Sequence, residues 1–209
     1  MALVVESFAS ASSATTSVAV TKPTGVASGD LVIGISRANN ATAMSSSDFT
    51  TEIFDVAEGA DNSRLAMYYK IAGGSEPASY TFTGTSSNNM DAIVVRVSGA
   101  DTTTPFDTFG TTTNSTPETT STAPSINTAG ANYLVIRAAG LDGGAQTFSA
   151  TPDTEIARVQ EMAASYKIQA SAGATGTGDF THLIEQSVTA TASFVPAGGA
   201  AARRAVVVS

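Results

Sequence analysis

The sequence predicts an all-β protein, folded as an antiparallel two-sheet β-sandwich of the jelly-roll type with a weak internal duplication. Three observations support this fold class. Apolar and polar residues alternate along several segments with the period of two that strands show. Other segments are continuously apolar, as expected of strands covered on both faces. Clusters of glycine, serine and asparagine separate these segments and are typical of tight turns.

The alternating segments also predict which side chains point inward. In residues 77–83, Tyr80 and Phe82 are expected to face the core while the hydroxyl residues between them face solvent. Residues 188–194 alternate in the same way. In residues 64–72, one face carries Leu65, Met67, Tyr69 and Ile71. Continuously apolar strands are predicted at residues 30–36, 91–98, 133–139 and 205–208.

Two further segments need an interpretation of their own. Residues 155–170 resemble a helix at first sight, but we interpret them as two strands joined by a short turn. Residues 111–122 are rich in threonine, serine and proline and contain almost no apolar side chain. This second segment is predicted to be an extended connector.

The composition excludes several classes of function. Hydrophobic residues make up 42% of the 209-residue chain, which is enough for a core, whereas only 13% are charged. The net charge is −8 and the ten Lys and Arg residues are scattered, which argues against binding to a phosphate backbone. The doublet Arg203-Arg204 is interpreted as a solvated strand edge. The absence of cysteine excludes disulfides and cysteine nucleophiles.

No targeting or membrane segment is evident in the sequence. The N-terminus lacks the basic region and the long apolar run of a secretory signal peptide. No segment approaches the roughly 18 consecutive apolar residues that a transmembrane helix needs. We therefore expect a soluble protein that is made in a cytoplasm and that has neither a membrane nor a nucleic acid as its partner.

Short sequence echoes indicate that the chain contains two related halves. Leu31-Val32-Ile33 is echoed by Leu134-Val135-Ile136, and Thr51-Glu52-Ile53 is echoed by Thr154-Glu155-Ile156. Tyr69-Lys70-Ile71 is echoed by Tyr166-Lys167-Ile168, and Val97-Ser98 by Val208-Ser209. The order is the same in both halves. The alternative is a chance match between β sequences of low complexity.

The predicted domain organisation follows from this duplication. We expect residues 1–209 to form a single β-sandwich domain, with pseudo-repeat halves at about 15–110 and 120–209 that contribute to one core. Two small sandwiches in tandem are the alternative. Nothing in the sequence resembles a long linker between the halves.

A search for catalytic residues in the sequence centres on the single histidine, His182. A catalytic triad needs a base held between a nucleophile and an orienting acid, and no serine lies in a G-x-S-x-G motif. Zinc sites normally use several His or Cys ligands, of which this chain has one His. His182 is therefore predicted to be structural.

Carboxylates and tyrosines are the remaining candidates for binding or catalysis. Asp142-Gly143 and Asp61-Asn62 are isolated and are interpreted as turns rather than calcium ligands. Glu52 and Glu155 occupy equivalent repeat positions, which favours a structural or interface role over an acid/base pair. Glu52, Glu155 and Glu76 are the first carboxylates to test for glycoside hydrolysis. The tyrosines that lie on predicted strands are expected to pack rather than bind sugars; they are Tyr68, Tyr69, Tyr80 and Tyr166.

Four segments of the N-terminal half follow one another in a characteristic order. The first two are Gly29-Asp30-Leu31-Val32 and Tyr69-Lys70-Ile71-Ala72. The other two are Glu76-Pro77-Ala78-Ser79-Tyr80-Thr81-Phe82 and Gly99-Ala100-Asp101-Thr102-Thr103-Thr104-Pro105-Phe106. This ordered set resembles a family of β-sandwich modules from bacteriophage virion proteins, closely over about residues 15–110 and more loosely over 120–209. The tryptophan that family members often carry after the first long loop is absent, and Phe49 lies near that place.

The resemblance implies a β-sandwich structural protein of the virion, without catalytic residues, cofactor or metal. Such modules occur in tail fibres, in tail-associated proteins and in head decorations. Because the module begins almost at Met1 and ends at Ser209, we expect a head decoration or cement protein, a homotrimer that binds the major capsid protein or another virion protein. The alternative is a tail-fibre or receptor-binding module for host glycans. A glycan hydrolase and a bacterial surface protein are further alternatives.

Overall fold

The computed structural model describes residues 2–59, 63–143, 149–151 and 153–198, and this part of the chain is all-β, as the sequence predicts. Eight strands belong to the N-terminal half. They are β1 (Val4–Ser13), β2 (Ser17–Thr21), β3 (Leu31–Asn39), β4 (Ala43–Ser45), β5 (Thr51–Ala57), β6 (Ser63–Ile71), β7 (Ser79–Thr85) and β8 (Asn89–Ser98).

Eight further strands follow in the C-terminal half, and two of them are unusually long. They are β9 (Phe106–Ala123), β10 (Asn127–Thr128), β11 (Tyr133–Leu141), β12 (Ser149–Thr151), β13 (Thr154–Val159), β14 (Met162–Gln169), β15 (Gly173–Ala174) and β16 (Gly178–Phe194). The prediction of two strands within residues 155–170 is thereby confirmed. Residues 111–122, predicted to be a connector, lie instead in β9, because β16 provides their backbone hydrogen bonds.

The strands form three main antiparallel sheets. Sheet I has the order β1-β8-β3-β6-β5 and sheet II the order β2-β7-β4. Sheet III has the order β12-β16-β11-β14-β13, with β9 paired to β16 along most of its length. A two-stranded ribbon of β10 and β15 completes the fold.

Sheet I is covered on both faces, so the sandwich has one more layer than the predicted two sheets. β3 is buried along nearly its whole length because Ile33 and Ile35 face sheet III while Val32 and Ala38 face sheet II. The continuous apolar runs of the sequence required this double coverage. The main core therefore lies between sheets I and III, and it takes side chains from both halves, including Leu65, Met67, Ile93, Leu134, Ile136 and Val188.

The core between sheets I and II is aromatic. Phe49 packs on Tyr80 and Phe82, with ring centroids 5.4 and 5.5 Å apart. Gly34 of β3 makes room for this cluster, because a Cβ there would lie 2.6 Å from Cζ of Phe49. Tyr80 and Phe82 point inward, as predicted, and are fully buried.

Gly34→Ala is therefore expected to destabilise the protein by about 1–3 kcal/mol, since an added methyl group overpacks the aromatic cluster. Urea unfolding measures this change. Gly74→Ala is the matched control, because no atom lies within 4 Å of a Cβ at that exposed position. The control should change the free energy of unfolding by no more than about 0.5 kcal/mol. Equal effects of the two substitutions would contradict the packing at Gly34.

Corresponding strands of the two halves pair in equivalent ways. Thr51 pairs with Tyr69, and Thr154 pairs with Tyr166. Leu31 pairs with Ile71, and Leu134 pairs with Ile168. The register shifts just after Glu52 in β5 and just after Glu155 in β13. The three echoed tripeptides thus occupy the same places in sheets I and III.

The pairing also corrects one of the echoes. Leu31 lies opposite Val97, and its equivalent Leu134 lies opposite Phe194, so Phe194 is the counterpart of Val97. The proposed counterpart Val208 lies outside the described residues. So do the predicted strand at residues 205–208, the doublet Arg203-Arg204 and the predicted turn at Asp61-Asn62.

Candidate functional site

The segments that carry the family resemblance form turns, together with the side chains whose hydrogen bonds hold those turns in place. Gly29 has a φ of 91°, which favours glycine, and it leads the chain into β3. The next residue, Asp30, accepts hydrogen bonds from the backbone N–H of Ala27 (2.9 Å) and from Nε of Arg96 (2.7 Å). The Gly-Asp pair therefore fixes the start of β3 to the neighbouring strand β8.

Glu76 fastens the loop between β6 and β7. Its carboxylate accepts from Nζ of Lys70 (2.8 Å), from the hydroxyl of Tyr80 (3.1 Å) and from the backbone N–H of Gly73 (2.7 Å). Partial burial alone would raise the pKa of Glu76, but these three donors together lower it. The structure thus assigns Glu76, one of the three carboxylates considered for catalysis, to loop anchoring.

Glu76→Ala is expected to lower the free energy of unfolding by about 2 kcal/mol, because it removes charge-assisted hydrogen bonds from a side chain that is 4% exposed. Chemical denaturation measures the loss. Glu155→Ala is the matched control, since the Glu155–Arg158 pair is about 40% exposed and contributes little. A loss at Glu76 no larger than the loss at Glu155 would contradict the anchoring role.

Asp101 organises the connection between the two halves. Gly99 has a φ of 77°, and Oδ1 of Asp101 accepts from the backbone N–H groups of Thr103 (2.8 Å) and Thr104 (2.9 Å). These hydrogen bonds lower the pKa of Asp101. The fourth resemblance segment is thus a turn as well.

A buried charge cluster lies where the two halves meet. Arg37 of β3 is fully buried, with its guanidinium 3.8 Å from the carboxylate of Asp91 and in an ion pair with Glu161. The backbone N–H of Glu161 also donates to Asp91, at 3.2 Å. Gly140 of β11 leaves space for the arginine, because a Cβ there would lie 2.8 Å from Cγ of Arg37. We name Arg37, Asp91 and Glu161 the junction cluster.

The electrostatics of the junction cluster are unbalanced. Burial raises the pKa of Asp91 to about 7, against the opposing effect of Arg37. Burial also raises the pKa of Glu161, as do the nearby Asp142 and Glu185. The cluster therefore holds one buried cation, Arg37, beside two carboxylates. The more deeply buried of the two, Asp91, resists ionisation.

In the C-terminal half, polar groups occupy the place that the aromatic core has in the N-terminal half. On the outer face of sheet III, Arg137 is fully buried, pairs with Asp153 and donates to the carbonyl of Gly176 (2.7 Å). Thr189 and Thr191 are also buried and donate to the carbonyls of Thr122 (3.0 Å) and Pro124 (2.7 Å). These hydrogen bonds attach the outer part of β9 and the loop after it to sheet III.

His182 pairs with a serine that the sequence gives no reason to select. Oγ of Ser121 lies 2.6 Å from Nε2 of His182, and Nδ1 lies 2.6 Å from the carbonyl oxygen of Leu183. A carbonyl oxygen only accepts, so Nδ1 of His182 donates to it. Both side chains are buried. Ser121 also lines a cavity of about 300 Å³ with Asn114, Glu118 and neighbouring hydroxyl groups.

The other predicted candidates lie apart from this pair. Glu52 and Glu155 occupy the equivalent irregular positions of β5 and β13. Tyr68 and Tyr80 are buried in the aromatic core, and Tyr69 and Tyr166 pack at the edge of the main core. Within the described residues, no three His, Cys, Asp or Glu side chains are grouped so as to hold a metal ion. In the same residues no helix has the length and hydropathy needed to cross a bilayer.

Comparisons with known proteins give weak similarities only. No protein-family model and no curated protein matches the chain. A solved structure of a conserved protein of unknown function from Pseudomonas aeruginosa PAO1 is 9% identical, with 84% of this chain and 76% of that chain covered and a TM-score of 0.30. The STIV major capsid protein is 11% identical, with 93% and 95% covered and a TM-score of 0.26. Similarities of this size do not establish a shared fold.

Proposed function

We propose that the protein is a non-enzymatic structural component of a bacteriophage virion, a head decoration or cement protein that binds the outer capsid surface and stabilises it. The major capsid protein is the proposed partner. The proposal also includes a homotrimer, since closed symmetry is usual for homo-oligomers and capsids offer threefold sites.

The repetition of one eight-strand unit is the observation that carries this proposal. In the N-terminal unit, strands 1-8-3-6 are neighbours in one sheet and strands 2-7-4 in the other. We infer a jelly roll from this order, although the fifth strand departs from it by pairing with the sixth. In the C-terminal unit, β9 and β16 are each long enough to take the place of two strands of the N-terminal unit. The first part of β16 pairs with β12 and its second part pairs with β11. Capsid and lectin domains share the jelly-roll architecture.

The packing of the two units further supports a role in assembly. β1 packs on β13 and, in the reciprocal position, β9 packs on β5. Likewise β8 packs on β14 and β16 on β6. In an isologous interface, each of two copies makes the same contacts with the other. The two units of this chain pack against each other in that way. The buried polar groups of the sheets hold strands and loops together, as expected of a protein selected for shape.

Binding to capsids tests the proposal. Purified protein is mixed with undecorated capsids and sedimented, and the bound protein is quantified by gel densitometry. We expect saturable binding of many copies per capsid and a higher temperature of capsid disruption. Absence of binding to capsids, with binding to tails instead, would contradict the decoration role. The mass in solution tests the trimer separately, and a monomer would exclude it.

A groove beside Phe109 favours a second candidate, the recognition of host glycans. The groove has a volume of about 820 Å³ and is lined by Asp107, Phe109 and Asn127 among others. The ring of Phe109 is 42% exposed and stacks on Phe54 at 5.6 Å. An exposed ring beside carboxylate and amide groups can hold a sugar. Binding to host polysaccharide that Phe109→Ala abolishes would favour this candidate, whereas a lack of polysaccharide binding would exclude it.

A further inference from the structure

Two consecutive apolar residues of β16 face solvent. Leu183 is 67% exposed and Ile184 is 66% exposed, more than the other exposed large hydrophobic side chains of the described residues. In a regular strand, consecutive side chains point to opposite faces, so one of the two would be expected to face the fold. The exposure of both needs a local cause.

An interruption of the ladder between β9 and β16 is this cause. Thr181 pairs with Thr120 and Glu185 pairs with Glu118, but the register shifts between these two pairs. His182 turns inward at the interruption, where it binds Ser121 and the carbonyl of its own neighbour Leu183. We name residues 182–185 the bend. The buried Ser121–His182 pair fixes the bend in the conformation that directs its two apolar side chains outward.

The opposite strand supplies a groove next to the bend. The strand opposite the bend is β9. Its residues Pro117, Glu118 and Thr120, together with Ile184, line an open groove of about 400 Å³. Nε2 of Gln186 donates to the carbonyl of Ser115 at 2.6 Å and joins the two strands beyond the interruption. A partner side chain could enter this groove while Leu183 and Ile184 enter the partner.

The charge around the bend specifies the chemistry of that partner. Glu118 and Glu185 are paired residues of the two strands, with a register shift on either side of the pair. Glu118 is exposed beside the groove and Glu185 is half-buried. Burial and the nearby Asp142 raise the pKa of Glu185, against the opposing effects of His182 and Arg37. A cation from a partner would bind favourably at this acidic edge. A second copy that docked through the same surface would bring two further carboxylates to it, so a basic partner fits better.

We propose that Leu183 and Ile184, flanked by Glu118 and Glu185, form the docking surface for a partner protein that presents an apolar pocket bordered by Lys or Arg. This inference rests on the proposed function, in which the partner is the capsid protein. The two apolar side chains act as the anchors of the interface, and the two carboxylates bind the basic border.

The double variant Leu183→Ser/Ile184→Ser tests the surface in the full chain. We expect its affinity for capsids to fall at least about tenfold, with an unchanged urea unfolding curve because both side chains are exposed. Val4→Ser is the matched control, since Val4 is 47% exposed on β1 and should leave binding unaltered. Equal binding by the double variant and the wild type would overturn the inference but not the proposed function.

The salt dependence of capsid binding tests the role of the two carboxylates. Wild-type binding should weaken as salt is raised, and Glu118→Gln/Glu185→Gln should bind more weakly at low salt and respond less to salt. An unchanged salt response would overturn the assignment of a basic border. Failure of the wild type to bind capsids at all would instead overturn the proposed function. If the double variant kept capsid binding but lost self-association, the surface would belong to a second copy, and the inference would be wrong.

Discussion

Arg37→Met is expected to lower the free energy of unfolding at pH 7 by about 3–5 kcal/mol. Removing one partner of a buried ion pair leaves the other charges without compensation, and this costs far more than the pair itself contributes. Arg37 is fully buried, and Glu161 and Asp91 on either side of it are at most 5% exposed. Because both halves of the chain supply these residues, we expect the loss to affect unfolding of the whole molecule.

Urea unfolding, followed at two spectroscopic probes, measures this effect. Arg158→Met is the matched control, because the ion pair of Arg158 with Glu155 is about 40% exposed. The control should change the stability by no more than about 0.5 kcal/mol. A loss below about 1 kcal/mol for Arg37→Met would show that the junction cluster does not hold the halves together.

Stability is expected to fall by about 4 kcal/mol as the pH rises from about 4 to about 8, through Asp91 alone. The pKa of Asp91 is raised from 3.8 to about 7 in the folded protein, mainly by burial. Between these two pH values the folded state therefore holds a proton that the unfolded state has lost. Unfolding releases that proton, so stability decreases with pH over this window and is flat above it.

The variant Asp91→Asn isolates this contribution, since its side chain stays neutral at every pH. It should match the wild type near pH 4, exceed it in stability near pH 8, and show a correspondingly weaker pH dependence. Glu161 and Glu185, whose pKa values are also raised, act in the same direction and remain in the variant. Parallel pH profiles for the wild type and Asp91→Asn would contradict a buried, protonated Asp91.

Many strand positions were accessible from the sequence because local patterns determine them. The echoes of Thr-Glu-Ile and Tyr-Lys-Ile were also visible, but their pairing at Thr51–Tyr69 and at Thr154–Tyr166 is known only from the structure. Alternation placed Tyr80 and Phe82 inward, since period two is a direct consequence of strand geometry. The double coverage of β3 was also encoded, as a run without polar alternation.

Contacts between residues that lie far apart in the chain were not accessible in the same way. Arg37 meets Glu161, and Ser121 meets His182, only after strands far apart in the chain have been packed or paired. A single serine among many gives no local signal of its partner. Residues 111–122 are rich in threonine and were predicted to be a connector. They lie in a strand that pairs with β16 over a polar core, so their sequence shows no apolar alternation.

The proposed place of the protein on the virion head connects its structure with a function. The proposed anchors are Leu183 and Ile184 of the bend, which are 67% and 66% exposed. A decoration role requires a repetitive binding surface, because one copy of a cement protein stabilises only its own site. It also requires that the bend faces that surface.

An image reconstruction of the intact particle, fitted with this structure, tests the central claim most directly. We expect many copies on the outer surface of the head at symmetry-related sites, with Leu183 and Ile184 against the capsid protein. Finding one or two copies per particle, confined to the tail, would contradict it.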